Sequence, residues 1–169
     1  LEEKGVPYEH KIIDLQNKPE EFLEKYKVAV GGDASIRAKV PLLECGEKLV
    51  VESEDVIKFI GSSIGSDDSL YPVSERERID RFIKSFEDVS KGYVDFMAAK
   101  SDLDEETGRE SFCRALLCLE DDLEGPFCLG DTFSVAECYA APWVHRFSLT
   151  VPHFRGVQVK DLLHLGSKV

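Results

Sequence analysis

The chain has 169 residues, 43% hydrophobic and 32% charged, an ordinary balance for a globular protein. Its formal net charge of −12 argues against a nucleic-acid or anionic-membrane surface, because either needs a concentrated positive face. No apolar run approaches the ~20 residues that span a bilayer, so no transmembrane segment is expected.

Five cysteines, Cys45, Cys113, Cys118, Cys128 and Cys138, form neither a CxxC pair nor a Cys/His ligand spacing. An odd count without a framework points to a reducing compartment, cytoplasm or plastid stroma, rather than a secreted disulfide scaffold. Cys113, Cys118 and Cys138 read as small buried apolar residues on helices. His10, His145, His153 and His164 are scattered without metal spacing, and no metal is expected.

In chain order, Leu1-Glu2-Glu3-Lys4-Gly5 reads as the last turn of a helix closed by glycine. The sequence is therefore expected to be part of a longer chain. Val6-Pro7-Tyr8 leads into Glu9-His10-Lys11-Ile12-Ile13-Asp14, a strand candidate rich in β-branched residues. Asn17-Lys18-Pro19-Glu20-Glu21 opens a helix with proline and acids in the first turn, and Phe22, Leu23 and Tyr26 give it an apolar stripe. Gly31-Gly32-Asp33-Ala34-Ser35 breaks that pattern as an exposed loop. Strands at residues 40–44 and 48–51 flank Cys45-Gly46-Glu47 and make a hairpin. Ser53 then caps a helix whose buried face is Val56, Ile57, Phe59 and Ile60. Residues 62–74, rich in Gly, Ser, Asp and Pro, mark a boundary.

Everything beyond the boundary carries helical periodicity. Residues 75–100 repeat Ile79, Phe82, Ile83, Phe86, Val89, Tyr93, Phe96 and Met97 at steps of three and four. Residues 105–123 do the same with Phe112, Leu116, Leu119 and Leu123, ending before Gly125-Pro126. A third helix starts at Ser134 and carries Val135, Cys138, Tyr139 and Trp143; a fourth covers residues 159–165. The fold class is α+β: an N-terminal domain at 1–63, a linker at 64–74 and an all-helical domain at 75–169. A helix, two adjacent antiparallel strands and a closing helix match the second half of a thioredoxin-like domain. That fold has a further strand in mid-sheet, without which a strand at residues 9–14 would leave backbone groups unpaired. The N-terminal domain is thus expected to be partial.

Three places carry chemistry. Val40-Pro41 is either a cis bond, which turns the Val40 backbone outward toward an extended ligand, or an ordinary trans proline on an edge strand. Glu52-Ser53 sits where a strand becomes a helix. The Ser53 hydroxyl and first-turn N–H groups there suit a carboxylate and Glu52 an ammonium group, although plain capping gives the same sequence. Ser134-Val135-Ala136-Glu137 is a capping box with a structural role.

Jointly these segments resemble the glutathione transferase superfamily, most closely its omega and dehydroascorbate reductase classes. The resemblance rests on Ile13 to Leu23 around the second helix of those classes, on Lys39-Val40-Pro41-Leu42-Leu43-Glu44 as the cis-proline strand and on Glu52-Ser53-Glu54-Asp55-Val56-Ile57 opening their third helix. It rests also on Gly125-Pro126-Phe127 through Ser134 to Glu137, continued by Ala141-Pro142. It implies that glutathione is a cosubstrate, with Lys18 on the glycyl carboxylate, the Val40 backbone on the cysteinyl unit, and Glu52 and Ser53 on the γ-glutamyl end. Pro41, Ser134 and Glu137 are structural in this pattern. Glu137 stands where the family has Asp. Residues 27–38 are longer than usual near the glutathione site, and this loop could meet a protein partner. The catalytic residue of the family, a cysteine at a helix N-terminus or a Ser or Tyr, would fall upstream of Leu1. Three functions follow: a glutathione-dependent thiol oxidoreductase, a conjugating transferase acting on a small-molecule substrate, or a non-catalytic assembly subunit on the same fold.

Overall fold

The structure is a computed structural model that describes residues 1–166 except Ala34 and Asp122, with no side-chain description for residues 163–166. Ala34 of the expected loop, Asp122 of the second long helix and the His164 side chain therefore lie outside the described residues. The chain falls into two compact units, Leu1–Pro72 and Val73–Val169.

The first unit opens on a turn in which Gly5 N–H donates to Glu2 O and Val6 N–H to Leu1 O, with Gly5 at φ +62. This paired bonding with a left-handed glycine is the way helices commonly close. Lys4, in that turn, has a side chain only 3% exposed, and its Nζ donates to the carbonyls of Gly61 at 3.1 Å and Asp67 at 2.6 Å. Residues 9–14 do not form the expected strand. A strand needs a neighbour for its N–H and C=O groups. Among the described residues the only ladder is a different, two-stranded one. The β-branched pattern instead splits, with Ile12 88% exposed while Ile13 packs on the unit's core.

Helix α1, Glu20–Ala29, starts one residue later than Pro19, which stands at its N-cap. Phe22 and Tyr26 are buried, but Leu23 is not, being 42% exposed. The helix ends as the chain begins: Gly31 N–H donates to Val28 O and Gly32 N–H to Lys27 O, with Gly31 at φ +73. Strands β1, Leu42–Cys45, and β2, Lys48–Val51, pair antiparallel in the register Leu42↔Val51 to Cys45↔Lys48. The two-residue connection has Gly46 first, at φ +60, the arrangement of a II′ turn. Helix α2, Ser53–Ser63, follows at once. Phe22, Tyr26 and Ala38 form the core of this unit, covered by Ile13, Val30, Leu42 and Val51.

The second unit begins with a 3-10 turn, Val73–Glu75, and is otherwise helical: α3, Arg76–Ala98; α4, Asp102–Asp121; α5, Val135–Arg155; α6, Val159–Gly166. Helix α4 starts three residues before the expected point. Ser101 explains this: its hydroxyl accepts from Asp104 N–H at 3.2 Å and donates to the Asp104 carboxylate at 2.7 Å. Helix α5 runs through Pro142 and Pro152 and closes on Gly156 at φ +68. The core gathers Phe86, Tyr93, Phe96, Phe112, Phe147 and Val151, with the Tyr93 and Phe147 rings 4.6 Å apart.

Two glycines set the closeness of α3 and α4. A Cβ on Gly92 would lie 2.8 Å from Phe112 Cα, and one on Gly108 would lie 2.7 Å from Phe96 Cα. Residue numbers fall on one helix as they rise on the other, so the pair marks an antiparallel seam in near backbone contact. Arg155, 14% exposed at its side chain, ends α5 by donating to Glu105 Oε2 at 2.7 Å, Met97 O at 3.0 Å and Ala99 O at 3.2 Å. Its guanidinium thereby meets the last carbonyls of α3, the negative end of that helix dipole.

Candidate glutathione site

The ladder register decides which candidate residues meet. Since Leu42 faces Val51 and the turn is at the far end, Val40-Pro41 and Glu52-Ser53 leave the open end of the hairpin side by side. The Val40–Pro41 bond is cis. Val40 is 47% exposed, and the ladder begins only at Leu42, so the Val40 backbone stands outside it.

Across from it Glu52 is the N-cap of α2, with φ +65 and ψ 129. No other described residue except glycine has a positive φ. A side chain there is strained by about 1–3 kcal/mol, a cost that native structures tolerate mainly at functional sites. The backbone turn carries Val51 from the sheet straight into helix. It gives a first intrahelical bond from Val56 N–H to Glu52 O at 2.9 Å. The N–H groups of Ser53, Glu54 and Asp55 are left at the head of the helix, where the dipole is positive.

Ser53 does not cap α2, contrary to the sequence expectation; it is the first helical residue, exposed, and makes no side-chain cap bond. The N-cap must have non-helical backbone, and the positive φ of Glu52 moves that role one residue earlier. The Ser53 hydroxyl is left open beside three open N–H groups. Glu52 is also exposed, and its side chain makes no cap bond. Of the neighbouring acids, Glu54 is paired with Lys58 at 2.6 Å.

Lys18 reaches the same end of the sheet from the segment before α1. Its half-buried side chain donates from Nζ to the carbonyl of Ala38 at 2.8 Å, two residues ahead of Val40. The structure thus brings Lys18, Val40, Pro41, Glu52 and Ser53 to one region of the first unit. Ala38, buried and holding Lys18, was not singled out by sequence reasoning. Its only signal is the alternation with the exposed Arg37 and Lys39.

Ser134 and Glu137 lie in the second unit and do structural work. Ser134, fully buried, accepts from Ala136 N–H at 3.1 Å and gives its proton to Glu137 Oε2 at 2.8 Å. The Glu137 carboxylate accepts as well from Ser134 N–H at 2.8 Å and Cys128 N–H at 2.7 Å, tying the preceding loop to the helix head. The longer reach of Glu over Asp suits this second tie.

Of the cysteines, Cys113 and Cys128 are buried and Cys138 is half-buried, but Cys118 is exposed on α4, against expectation. It falls just outside the buried stripe that Phe112, Cys113 and Leu119 define. Burial pushes the Cys113 thiol up. Cys45 ends β1 at the turn, about 13 Å along the strand from Pro41 at ~3.3 Å per residue. Among the described residues no three His, Cys, Asp or Glu side chains gather as metal ligands, and no helix is long and apolar enough to cross a membrane.

Comparison with known proteins gives the frame for this geometry. Residues 1–65 match the glutathione S-transferase N-terminal domain model and residues 75–167 the C-terminal domain model. The chain is 29% identical over 163 residues to the probable glutathione S-transferase DHAR1, cytosolic, of Oryza sativa subsp. japonica, covering 95% of this chain and 68% of that protein. It is 27% identical over 166 residues to the chloroplastic glutathione S-transferase DHAR3 of Arabidopsis thaliana, covering 96% of this chain and 57% of that one. The crystal structure of glutathione transferase Omega 3C from Trametes versicolor superposes with a TM-score of 0.80 at 22% identity, covering 95% of this chain and 70% of the other, and shares its fold. This chain, a thioredoxin-like unit followed by a helical one, belongs to the glutathione S-transferase family.

Proposed function

We propose that the protein is a glutathione-dependent thiol oxidoreductase of the omega and dehydroascorbate reductase kind. The observation that carries the reading is Glu52: a strained, exposed carboxylate at the head of α2, next to an open Ser53 hydroxyl and open N–H groups. An α-amino-acid end offers an ammonium group for Glu52 and a carboxylate for the helix head, and the γ-glutamyl end of glutathione has both. The backbone of Val40, which lies outside the ladder, suits the extended cysteinyl unit, and Lys18 the glycyl carboxylate. Relatives in the comparison carry DHAR names and include cytosolic and chloroplastic forms, which supports this class and a reducing compartment of either kind.

In this reading the reactive thiol is not one of the five cysteines in the sequence. In the class proposed, that thiol stands at a helix N-terminus whose dipole favours thiolate. Lys18, Glu52 and Ser53 then act by holding glutathione, so their loss weakens binding more than the chemical step. A second substrate is a small molecule with a disulfide or an oxidised ascorbate-type carbonyl. The long segment at residues 27–38, whose first three residues end α1, is where a protein partner would dock in the alternative, non-catalytic use of the fold.

The test is glutathione titration by calorimetry with the parent protein and with Glu52→Ala and Ser53→Ala. The expected result is saturable binding in the micromolar-to-millimolar range, weakened about ten- to a hundredfold by either change, since a charge-assisted hydrogen bond is worth about 1.5–3 kcal/mol. Absence of binding in the parent chain, or equal binding in all three proteins, sinks the assignment.

A further inference from the structure

Three carboxylates crowd the head of α2, where the reading above places the carboxylate of an α-amino-acid end: Glu52 at the N-cap, then Glu54 and Asp55 in the first turn. That is an awkward composition for an anion site. Acids in a first helical turn are drawn to the positive end of the dipole and to its unpaired N–H groups, the same groups that a bound carboxylate needs. The Cα–Cβ bonds of a helix tilt toward its N-terminus, so an unrestrained Glu54 side chain lies over the head and is long enough to fold onto it. A site occupied by its own carboxylate is closed to a second one.

In the structure Glu54 is turned the other way. Its Oε1 accepts from Lys58 Nζ at 2.6 Å, one turn further along the helix. Lys58 is itself held: its side chain is 20% exposed, and Nζ stands 5.8 Å from the centre of the buried Tyr71 ring. Lys84 and Lys91, which make ion pairs of similar spacing on α3, are 78% and 74% exposed and have no such seat. We propose that Lys58 is a positioning residue for glutathione: it draws the Glu54 carboxylate down α2 and cancels its charge, which keeps the N–H groups of Ser53, Glu54 and Asp55 open to the γ-glutamyl carboxylate. It acts through Glu54 and not on the ligand. Glu52 keeps its charge for the ammonium group. The inference rests on the assignment of Glu52 and Ser53 to the γ-glutamyl end.

The test is calorimetric titration of glutathione into the parent protein, Lys58→Met, Lys58→Arg, the double variant Glu54→Ala/Lys58→Met, and Glu52→Ala. Helix ion pairs of this kind contribute little to folding, so the Lys58 variants should melt near the parent. Lys58→Met keeps the stem and frees Glu54; its dissociation constant should rise about three- to tenfold, as for a like charge about 6 Å away in a medium close to water. Lys58→Arg preserves the pair and should stay within about twofold of the parent. The double variant should also return to within about twofold, a recovery that lost packing of the Lys58 stem cannot give. Asp55 is common to all five proteins, so the comparison isolates Glu54. Parent-like binding in Lys58→Met overturns the inference, and so does a double variant as weak as Lys58→Met. A parent that does not bind, or binds equally well as Glu52→Ala, removes the γ-glutamyl assignment and this inference with it; binding that depends on Glu52 but not on Lys58 removes this inference alone.

Discussion

Glu52 holds a backbone conformation that a glycine would hold without cost, so stability and binding are expected to pull in opposite directions at this one position. Glu52→Gly removes a strain of about 1–3 kcal/mol and adds less than about 1 kcal/mol of chain entropy, leaving a net gain of about 1 kcal/mol. Thermal melting should rise by roughly 2–4 °C in a chain of this size, while glutathione binding falls. Glu52→Ala should weaken the binding with almost no change in melting. A Glu52→Gly protein that melts lower would show that the conformation is not strained. The sequence pointed to Glu52-Ser53 but assigned the cap to Ser53, because capping preferences describe side chains and a positive φ is invisible in them. Leu23 and Cys118 were misplaced for a related reason: periodicity gives the centre of a buried stripe, and residues at its margin go to whichever side the neighbouring element leaves open.

Local signals in helix heads and ends were legible because their partners are three or four residues away. The Ser134 and Glu137 box formed where the pattern placed it, with the tie to Cys128 as an addition. Glu137→Ala orphans the N–H groups of Ser134 and Cys128 near a buried helix head, and a loss of about 3 kcal/mol is expected in urea unfolding; Glu137→Gln should retain a good part of it. Contacts between elements were not legible. Residues 9–14 have strand composition yet no ladder, since pairing depends on a neighbour rather than on the segment. Gly92 and Gly108 read as blemishes in helical stripes, but they let α3 and α4 touch. Helix propensity alone predicts that Gly→Ala at either site stabilises by about 1 kcal/mol. Steric contact below 3 Å with backbone atoms of Phe112 and Phe96 outweighs this. Each substitution should therefore destabilise by about 1–3 kcal/mol, and the double variant should cost less than the sum because both force the same seam apart.

Across the whole molecule, the division into an α/β part and a helical part followed from a change in period that runs through many residues, and no single misread position disturbs it. Thiol chemistry offers a check on the burial pattern of both units together. Under native conditions a small alkylating reagent should modify Cys45 and Cys118 first, while Cys113 is slow, being both buried and pushed toward the protonated thiol. Peptide mapping against time reads this directly; fast labelling of Cys113 would contradict the packing of the helical unit. Denaturant should bring Cys113 to the rate of the exposed pair.

Arg155 can be read as a proof-reader of alignment. One flat, rigid fork has to find a carboxylate on α4 and two carbonyls at the end of α3 from the last residue of α5. A slip of any one helix by a single residue turns Glu105 aside or moves the carbonyls of Met97 and Ala99 out of the plane. Lysine, with one point of charge, could accept a slipped arrangement nearly as well as the correct one. The guanidinium thus makes the right alignment of three helices distinguishable from its near copies.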